Sequence, residues 1–195
     1  NKLILHELIH YHDIDFRHGN NVDNIVSKHF NIAPEIEKRV YEAYTETWAN
    51  IVNVFICAFE CDRTNSLNYA RKMFGNELKY SLYQTAKIFN FYGFHNMIEF
   101  VRPYDSRKKF KQSTSVFSYF FVKTALLFYI EEFINFVNKN NDQSFSESIK
   151  LSTSPEILQE FLDLINDLCK RKQYLNVLDN IMTKLKKMKK TQKIK

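Results

Sequence analysis

Glycine and proline are scarce in this sequence. Its 195 residues contain only 3 of each, so turns should be few and helices long. The sequence has no glycine-rich phosphate-binding loop, no internal repeat and no strand pattern longer than a few residues. Hydrophobic residues make up 45% and charged residues 26%, which is the balance of a folded soluble protein. These features predict a mostly α-helical body.

Cysteine is equally rare, and a long hydrophobic run is missing. Cys57, Cys61 and Cys169 are odd in number and too few for a disulfide framework, so we interpret them as reduced core residues of an intracellular, cytoplasmic protein. The first residues carry no signal-peptide pattern. The most apolar run, 116–130, contains Lys123 and falls short of the roughly 20 residues that span a bilayer. We expect a soluble protein without a membrane span.

Charge of one sign is also missing from most of the chain. The formal net charge is +6, but seven lysines lie between Lys184 and Lys195, so the rest of the sequence is close to neutral. Broad electrostatic binding by the folded body is therefore not supported. The lysine-rich tail could make weak contacts with nucleic acid or anionic lipid, or it could simply be a solvated helix end.

Apolar periodicity and helix-end signals predict a series of helices. Ala33-Pro34-Glu35 is typical of a helix start, as is Ser154-Pro155-Glu156. The helix that contains Gly75 is possibly interrupted there. The predicted helices cover residues 3–13, 22–30, 34–60, 67–94, 115–138, a segment that begins at 154, and a last segment from about 174.

The first helix carries the motif with the clearest chemistry, His6-Glu7-Leu8-Ile9-His10. Histidines four residues apart project from one helix face, so both imidazoles can ligate one zinc ion. Glu7 then lies beside the metal, where it can take a proton from the metal-bound water. Zinc lowers the pKa of that water and polarises a carbonyl group, which makes peptide hydrolysis feasible at neutral pH.

A catalytic zinc ion needs a third protein ligand and one open position. The metzincin pattern would place a third histidine six residues after His10, but Phe16 stands there. A glutamate from a second helix is the other common solution. Glu42 and Glu46 both lie among aromatic and small residues of the helix predicted after Pro34, where an unpaired carboxylate would be costly. Both remain candidates.

The histidine motif followed by Glu46-Thr47-Trp48-Ala49-Asn50 resembles the gluzincin group of zinc peptidases, including the ImmA/IrrE-type and M48-like enzymes. The resemblance implies that Glu46 is the third ligand and that Ala49 allows close helix packing. It also implies that Asn50 is a hydrogen-bond partner that orients a ligating imidazole. In thermolysin-like enzymes the pattern is E-x-x-x-D, of which Glu42-x-x-x-Glu46 is a distant echo, so Glu42 stays the alternative ligand.

The resemblance also implies a fold. Zincins place a β-sheet before the catalytic helix, whereas here the helix follows Asn1 almost directly. We therefore expect a zincin-like helical catalytic segment whose N-terminal sheet is missing or lies upstream. Residues 1–140 would form the N-terminally truncated metallopeptidase domain, and residues 141–195 a C-terminal helical pair with a basic tail.

Hydrolysis further needs a donor for the oxyanion. Ser115, Tyr119 and Lys123 follow at four-residue steps, and this polar stripe either meets water or lines the cleft with Tyr119 as the donor. His95 is the alternative donor.

Three polar residues follow the motif closely. His12 is turned away from His10 on the helix and should face solvent. Asp13 or Asp15 could accept a hydrogen bond from a ligating imidazole, although solvation of the helix end is the simpler interpretation.

Together these features predict a zinc-dependent metallopeptidase that acts on a peptide or protein substrate. One alternative is a non-catalytic helical binding protein with a structural or decayed zinc site. The other is a basic-tailed regulator associated with nucleic acid.

Overall fold

The computed structural model describes residues 2–17, 29–30, 32, 37–102, 110, 115–141 and 148–192, with side chains up to 188. Within these residues it contains eight α-helices, one π-helical segment and no β-strand, which confirms the mostly α-helical prediction. Most of the helix predicted over 22–30 lies outside the described residues. The helices are α1 (Lys2–Tyr11), α2 (Val40–Cys61), α3 (Ser66–Phe91), α4 (Ile98–Val101), the π-helical segment (Phe117–Val122), α5 (Lys123–Phe128), α6 (Ile130–Asn140), α7 (Pro155–Lys170) and α8 (Lys172–Gln192).

The helix-start signal at Ser154-Pro155-Glu156 agrees with the start of α7. The side chain of Ser154 caps α7 by accepting a hydrogen bond from the amide of Ile157 at 3.3 Å, and Pro155 occupies the first turn. Helix α3 passes through Gly75 without interruption, because neighbouring residues supply enough helix propensity to offset a cost of roughly 1 kcal/mol.

Two predicted helix boundaries need correction. Helix α2 begins at Val40, not at Pro34, and residues 37–39 before it are not helical. Arg39 adopts φ 46°, a left-handed conformation that a right-handed helix cannot continue through. The long helix predicted over 115–138 is divided at Tyr129, whose φ of −111° and ψ of 45° are not helical.

The interior is rich in phenylalanine. The rings of Phe89, Phe94, Phe100, Phe110 and Phe121 are at most 2% exposed and pack against one another; we call these five residues the aromatic core. The ring centroid of Phe100 lies 4.6 Å from that of Phe89 and 5.0 Å from that of Phe121. Offset and edge-to-face pairs at these distances are favourable beyond their burial.

The C-terminal helices share this interior. The ring of Phe161 on α7 packs against Phe16 and Tyr44, and the hydroxyl of Tyr174 on α8 donates to the carbonyl of Phe121 at 2.8 Å. Trp48 is also buried, at 4% exposure. The domain boundary between residues 140 and 141 stays a prediction.

The three cysteines are free thiols, but they differ in burial. Cys169 lies in the core, whereas Cys57 is half-buried and Cys61 is exposed, so the prediction of a core position is wrong for Cys61. The reason is that Cys61 ends α2 at the surface.

Among the described helices, none combines the length and the apolar character that a bilayer crossing requires.

Candidate metal centre

Helix α1 packs on α2 and turns both motif histidines towards it. Ile9, between them on the inner side, is 6% exposed and anchors the helix. The ring of His6 is buried and that of His10 partly buried. Their Nε2 atoms lie 3.1 Å apart, so the four-residue spacing brings both rings to one point, as the motif predicted.

Glu42 of α2 adds a carboxylate oxygen next to these two nitrogen atoms. Its Oε2 atom lies 3.4 Å from Nε2 of His6 and 3.4 Å from Nε2 of His10. The three atoms thus form a nearly equilateral triangle with edges of 3.1, 3.4 and 3.4 Å. A tetrahedral zinc ion with ligands at 2.0–2.1 Å separates its ligand atoms by about 3.3 Å. The spacing therefore matches that of three ligand atoms around one zinc ion.

Glu46 occupies a different position from the one the resemblance implies. Its Oε2 atom lies 3.1 Å from Nδ1 of His6, the ring nitrogen that faces away from the triangle. Its other oxygen accepts a hydrogen bond from Nζ of Lys2. Glu42 and Glu46 differ by one helical turn, about 6 Å along α2, so only one of them can reach both Nε2 atoms. The structure therefore reverses the order of preference between the two glutamates.

Asp15 supports the second histidine in the same way. Its Oδ2 atom lies 2.7 Å from Nδ1 of His10 and accepts a hydrogen bond from the hydroxyl of Thr45 at 3.3 Å. The carboxylate is buried, with the residue 4% exposed. The simpler interpretation, that this aspartate solvates a helix end, is wrong for Asp15 but describes Asp13, which is exposed and pairs with Arg17.

A turn after α1 explains how Asp15 reaches His10. Asp13 adopts φ 47°, and the amide of Ile14 donates to the carbonyl of Ile9 at 3.1 Å. The chain thus folds back beneath the helix end. The sequence offered Asp13 and Asp15 as possible acceptors but could not choose between them, because the left-handed residue that produces the turn is an aspartate and not the usual glycine.

The two carboxylates fix the orientation of the two rings. When Nδ1–H of an imidazole donates to a carboxylate, the lone pair of Nε2 is directed to the opposite side of the ring. Glu46 accepts this hydrogen bond from His6, and Asp15 accepts it from His10.

Asn50 does not take the role expected of it, since its amide donates to the carbonyl of Glu46 in its own helix at 3.0 Å. Ala49 is fully buried.

Tyr119 joins the site from the π-helical segment. Its hydroxyl donates to Oε2 of Glu42 at 2.8 Å, and its ring centroid lies 6.1 Å from that of His6. Such π-helical turns are frequent at functional sites. In this structure the hydroxyl contacts the candidate ligand carboxylate.

The rest of the polar stripe does not meet water. Ser115 is 8% and Lys123 5% exposed, so the interpretation of a solvated stripe is wrong, because the segment is enclosed by neighbouring helices. Nζ of Lys123 donates to the hydroxyl of Ser81 at 2.7 Å and lies 3.7 Å from Oε1 of Glu77.

His95 belongs to another part of the molecule. Its amide donates to Glu99 and its carbonyl accepts from Lys186, and neither partner is in the metal cluster.

The cluster is strongly coupled electrostatically. Hydrogen bonds to Glu42 and Glu46 raise the pKa of His6 to about 9, against the opposing effect of burial. Burial acts to raise the pKa of Glu42, but His6 and Tyr119 outweigh it and lower that pKa. Burial and the bond to Glu42 raise the pKa of the Tyr119 phenol. The neighbouring carboxylates therefore favour the protonated form of His6.

Glu7 lies on the outer side of α1 and is exposed. It shares this side with exposed apolar residues, among them Leu3, Leu8 and Tyr11. His12 is also exposed and its ring contacts that of Tyr11, as predicted for a solvent-facing residue. The carboxylate of Glu7 is therefore open to solvent, and the cluster of His6, His10 and Glu42 does not include it. Its expected position beside a metal ion stays a prediction.

Comparisons of this chain with protein families, with curated proteins and with solved structures find no match.

Proposed function

We propose that this chain is a zinc-dependent peptidase, with zinc bound by His6, His10 and Glu42. One observation carries the proposal: the triangle of 3.1, 3.4 and 3.4 Å formed by one atom of each residue, which matches the ligand spacing of tetrahedral zinc. Two nitrogen donors and one carboxylate oxygen are also a ligand set found in catalytic zinc sites.

The number of ligands favours catalysis over a structural role. Structural zinc sites have four protein ligands, whereas catalytic sites have three and an open position. Among the described residues, the cluster of possible metal ligands consists of His6, His10 and Glu42. A bound zinc ion would supply a Lewis acid at the open position.

The neighbouring residues have separate roles in this proposal. Glu7 is exposed and follows His6 in the sequence; with zinc and substrate bound, it would accept the proton of the attacking water and pass it to the leaving amine. Glu46 and Asp15 hold the imidazoles. Tyr119 holds the carboxylate of Glu42 through a 2.8 Å hydrogen bond, which is a different role from the oxyanion donor considered from sequence.

The first experiment separates metal binding from catalysis. The zinc content of the purified chain is measured, and the chain is then incubated with a peptide library to detect cleavage. We expect about one zinc per chain and a defined set of cleaved bonds. Glu7→Gln should keep the zinc and lose hydrolysis, because an amide cannot accept the proton. Loss of zinc in this variant would make Glu7 a ligand and contradict the mechanism.

The second experiment decides between the two glutamates. Glu42→Gln should weaken zinc binding by orders of magnitude, since it replaces a charged ligand. Glu46→Gln should weaken it by about 10- to 100-fold, as for other residues that orient a ligating histidine. Competition with a chromophoric chelator measures both affinities. The opposite order would return Glu46 to the ligand set and leave the histidine motif unchanged.

A further inference from the structure

Glu46 joins two residues of α1 through its two oxygens. One oxygen accepts from Nζ of Lys2, and the other lies 3.1 Å from Nδ1 of His6. Lys2 and His6 are one helical turn apart on the same face, so one carboxylate of α2 contacts both. Each oxygen therefore has its own partner on α1.

The position of Glu46 makes its orientation sensitive to Lys2. The Glu46 side chain is only 12% exposed, whereas that of Lys2 is 40% exposed. A partly buried carboxylate that loses a charged partner turns towards any other cation or towards water. Lys123, buried at 5% exposure, attracts Glu46 electrostatically and offers such a competing direction. Without Lys2, the carboxylate has less reason to keep Oε2 on His6.

We propose that Lys2 is a positioning residue of the metal centre: it holds Glu46 so that Glu46 in turn keeps Nε2 of His6 directed at the metal. This inference rests on the proposed zinc site. It assigns a role to a residue outside the histidine motif. Lys2 would influence metal affinity through two successive side-chain contacts, from Lys2 to Glu46 and from Glu46 to His6.

The test compares three variants with the wild-type chain. Lys2→Met removes the charge and keeps the length of the side chain. Lys2→Arg keeps the charge and a donor that can reach the carboxylate. Lys72→Met, on the exposed side of α3, is the matched control for loss of a surface lysine. Thermal melts confirm that each variant is folded.

Zinc affinity is measured by competition with a chelator at one fixed pH. We expect Lys2→Met to weaken binding about tenfold, the lower end of the effect of residues that orient ligating histidines. Lys2→Arg and Lys72→Met should stay within about twofold of wild type. In a Glu46→Gln background, Lys2→Met should have no further effect, because both changes then break the same chain of contacts.

Cobalt substitution gives a readout that general destabilisation would not change. The visible absorption of cobalt bound at a tetrahedral site should shift or broaden in Lys2→Met and recover in Lys2→Arg. If the wild-type chain binds zinc and Lys2→Met matches it in affinity and spectrum, this inference is overturned while the zinc site stands. If the wild-type chain binds no zinc at His6 and His10, both proposals are overturned.

Discussion

Two buried regions of this molecule are held together in different ways. The aromatic core consists of Phe89, Phe94, Phe100, Phe110 and Phe121, and its rings contact one another. The region between α1 and α2, which we call the polar interface, contains His6, His10, Asp15, Glu42 and Glu46. Both regions exclude most water, but only the first is apolar.

This difference indicates which of the two regions contributes more to the stability of the fold. Rings that are removed from water stabilise the fold wherever they pack, roughly in proportion to the buried area. Buried carboxylates and imidazoles cost desolvation and return it only with good partners. The polar interface contains three acids and two histidines, and a divalent cation would neutralise part of this charge. The stability of the polar interface should therefore depend on metal and pH, and that of the aromatic core should not.

The largest effect should come from the aromatic core. Phe100→Ala should lower the free energy of unfolding by about 3–5 kcal/mol, because the cavity it leaves cannot fully collapse. Urea denaturation measures this loss. Phe91→Ala, at a position that is 81% exposed, is the control and should change stability by about 0.5 kcal/mol or less. The folded fraction of Phe100→Ala should still bind zinc; loss of binding would mean that the two regions are coupled.

Zinc should stabilise the polar interface by the next largest amount. At a free concentration 100 times the dissociation constant, a ligand that binds only the folded chain adds about 2.7 kcal/mol. Denaturation with and without zinc measures this gain. A His6→Ala/His10→Ala variant should show none, and an equal gain in that variant would contradict the site.

Asp15 offers a smaller change within the polar interface. Asp15→Asn weakens the acceptor for Nδ1–H of His10 and should lower zinc affinity by about 10- to 100-fold. Asp13→Asn is a matched control two residues earlier, because Asp13 is exposed and pairs with Arg17. A chelator competition that found the same affinity for both variants would remove Asp15 from the site.

The change of zinc affinity with each pH unit should be the smallest of these effects. Hydrogen bonds to Glu42 and Glu46 raise the pKa of His6 from 6.5 to about 9. The protonated ring therefore stabilises the metal-free fold fully below about pH 6.5, and this contribution is lost as the pH rises through 9. Zinc needs the neutral ring, so its affinity should rise by up to about tenfold per pH unit between pH 7 and 9.

Titrations of zinc in buffers with different ionisation enthalpies would detect the released proton. An affinity that is flat over this range would show that His6 is already neutral when the metal binds.

Much of this architecture could be predicted from the sequence, because the signals are local. The shortage of glycine and proline predicts long helices. The serine and proline before α7 place its start correctly, since a cap acts within one turn. The start of α2 was misplaced because Arg39 takes a left-handed conformation, for which its residue type gives no signal.

For the site, the sequence by itself determined that His6 and His10 meet, because helical geometry puts residues four apart on one face. Only the tertiary structure decided that Glu42, and not Glu46, lies opposite their Nε2 atoms. One helical turn separates the two glutamates, and the offset of α1 along α2 selects between them. That offset depends on how many side chains of both helices pack together, which no short segment of either helix specifies.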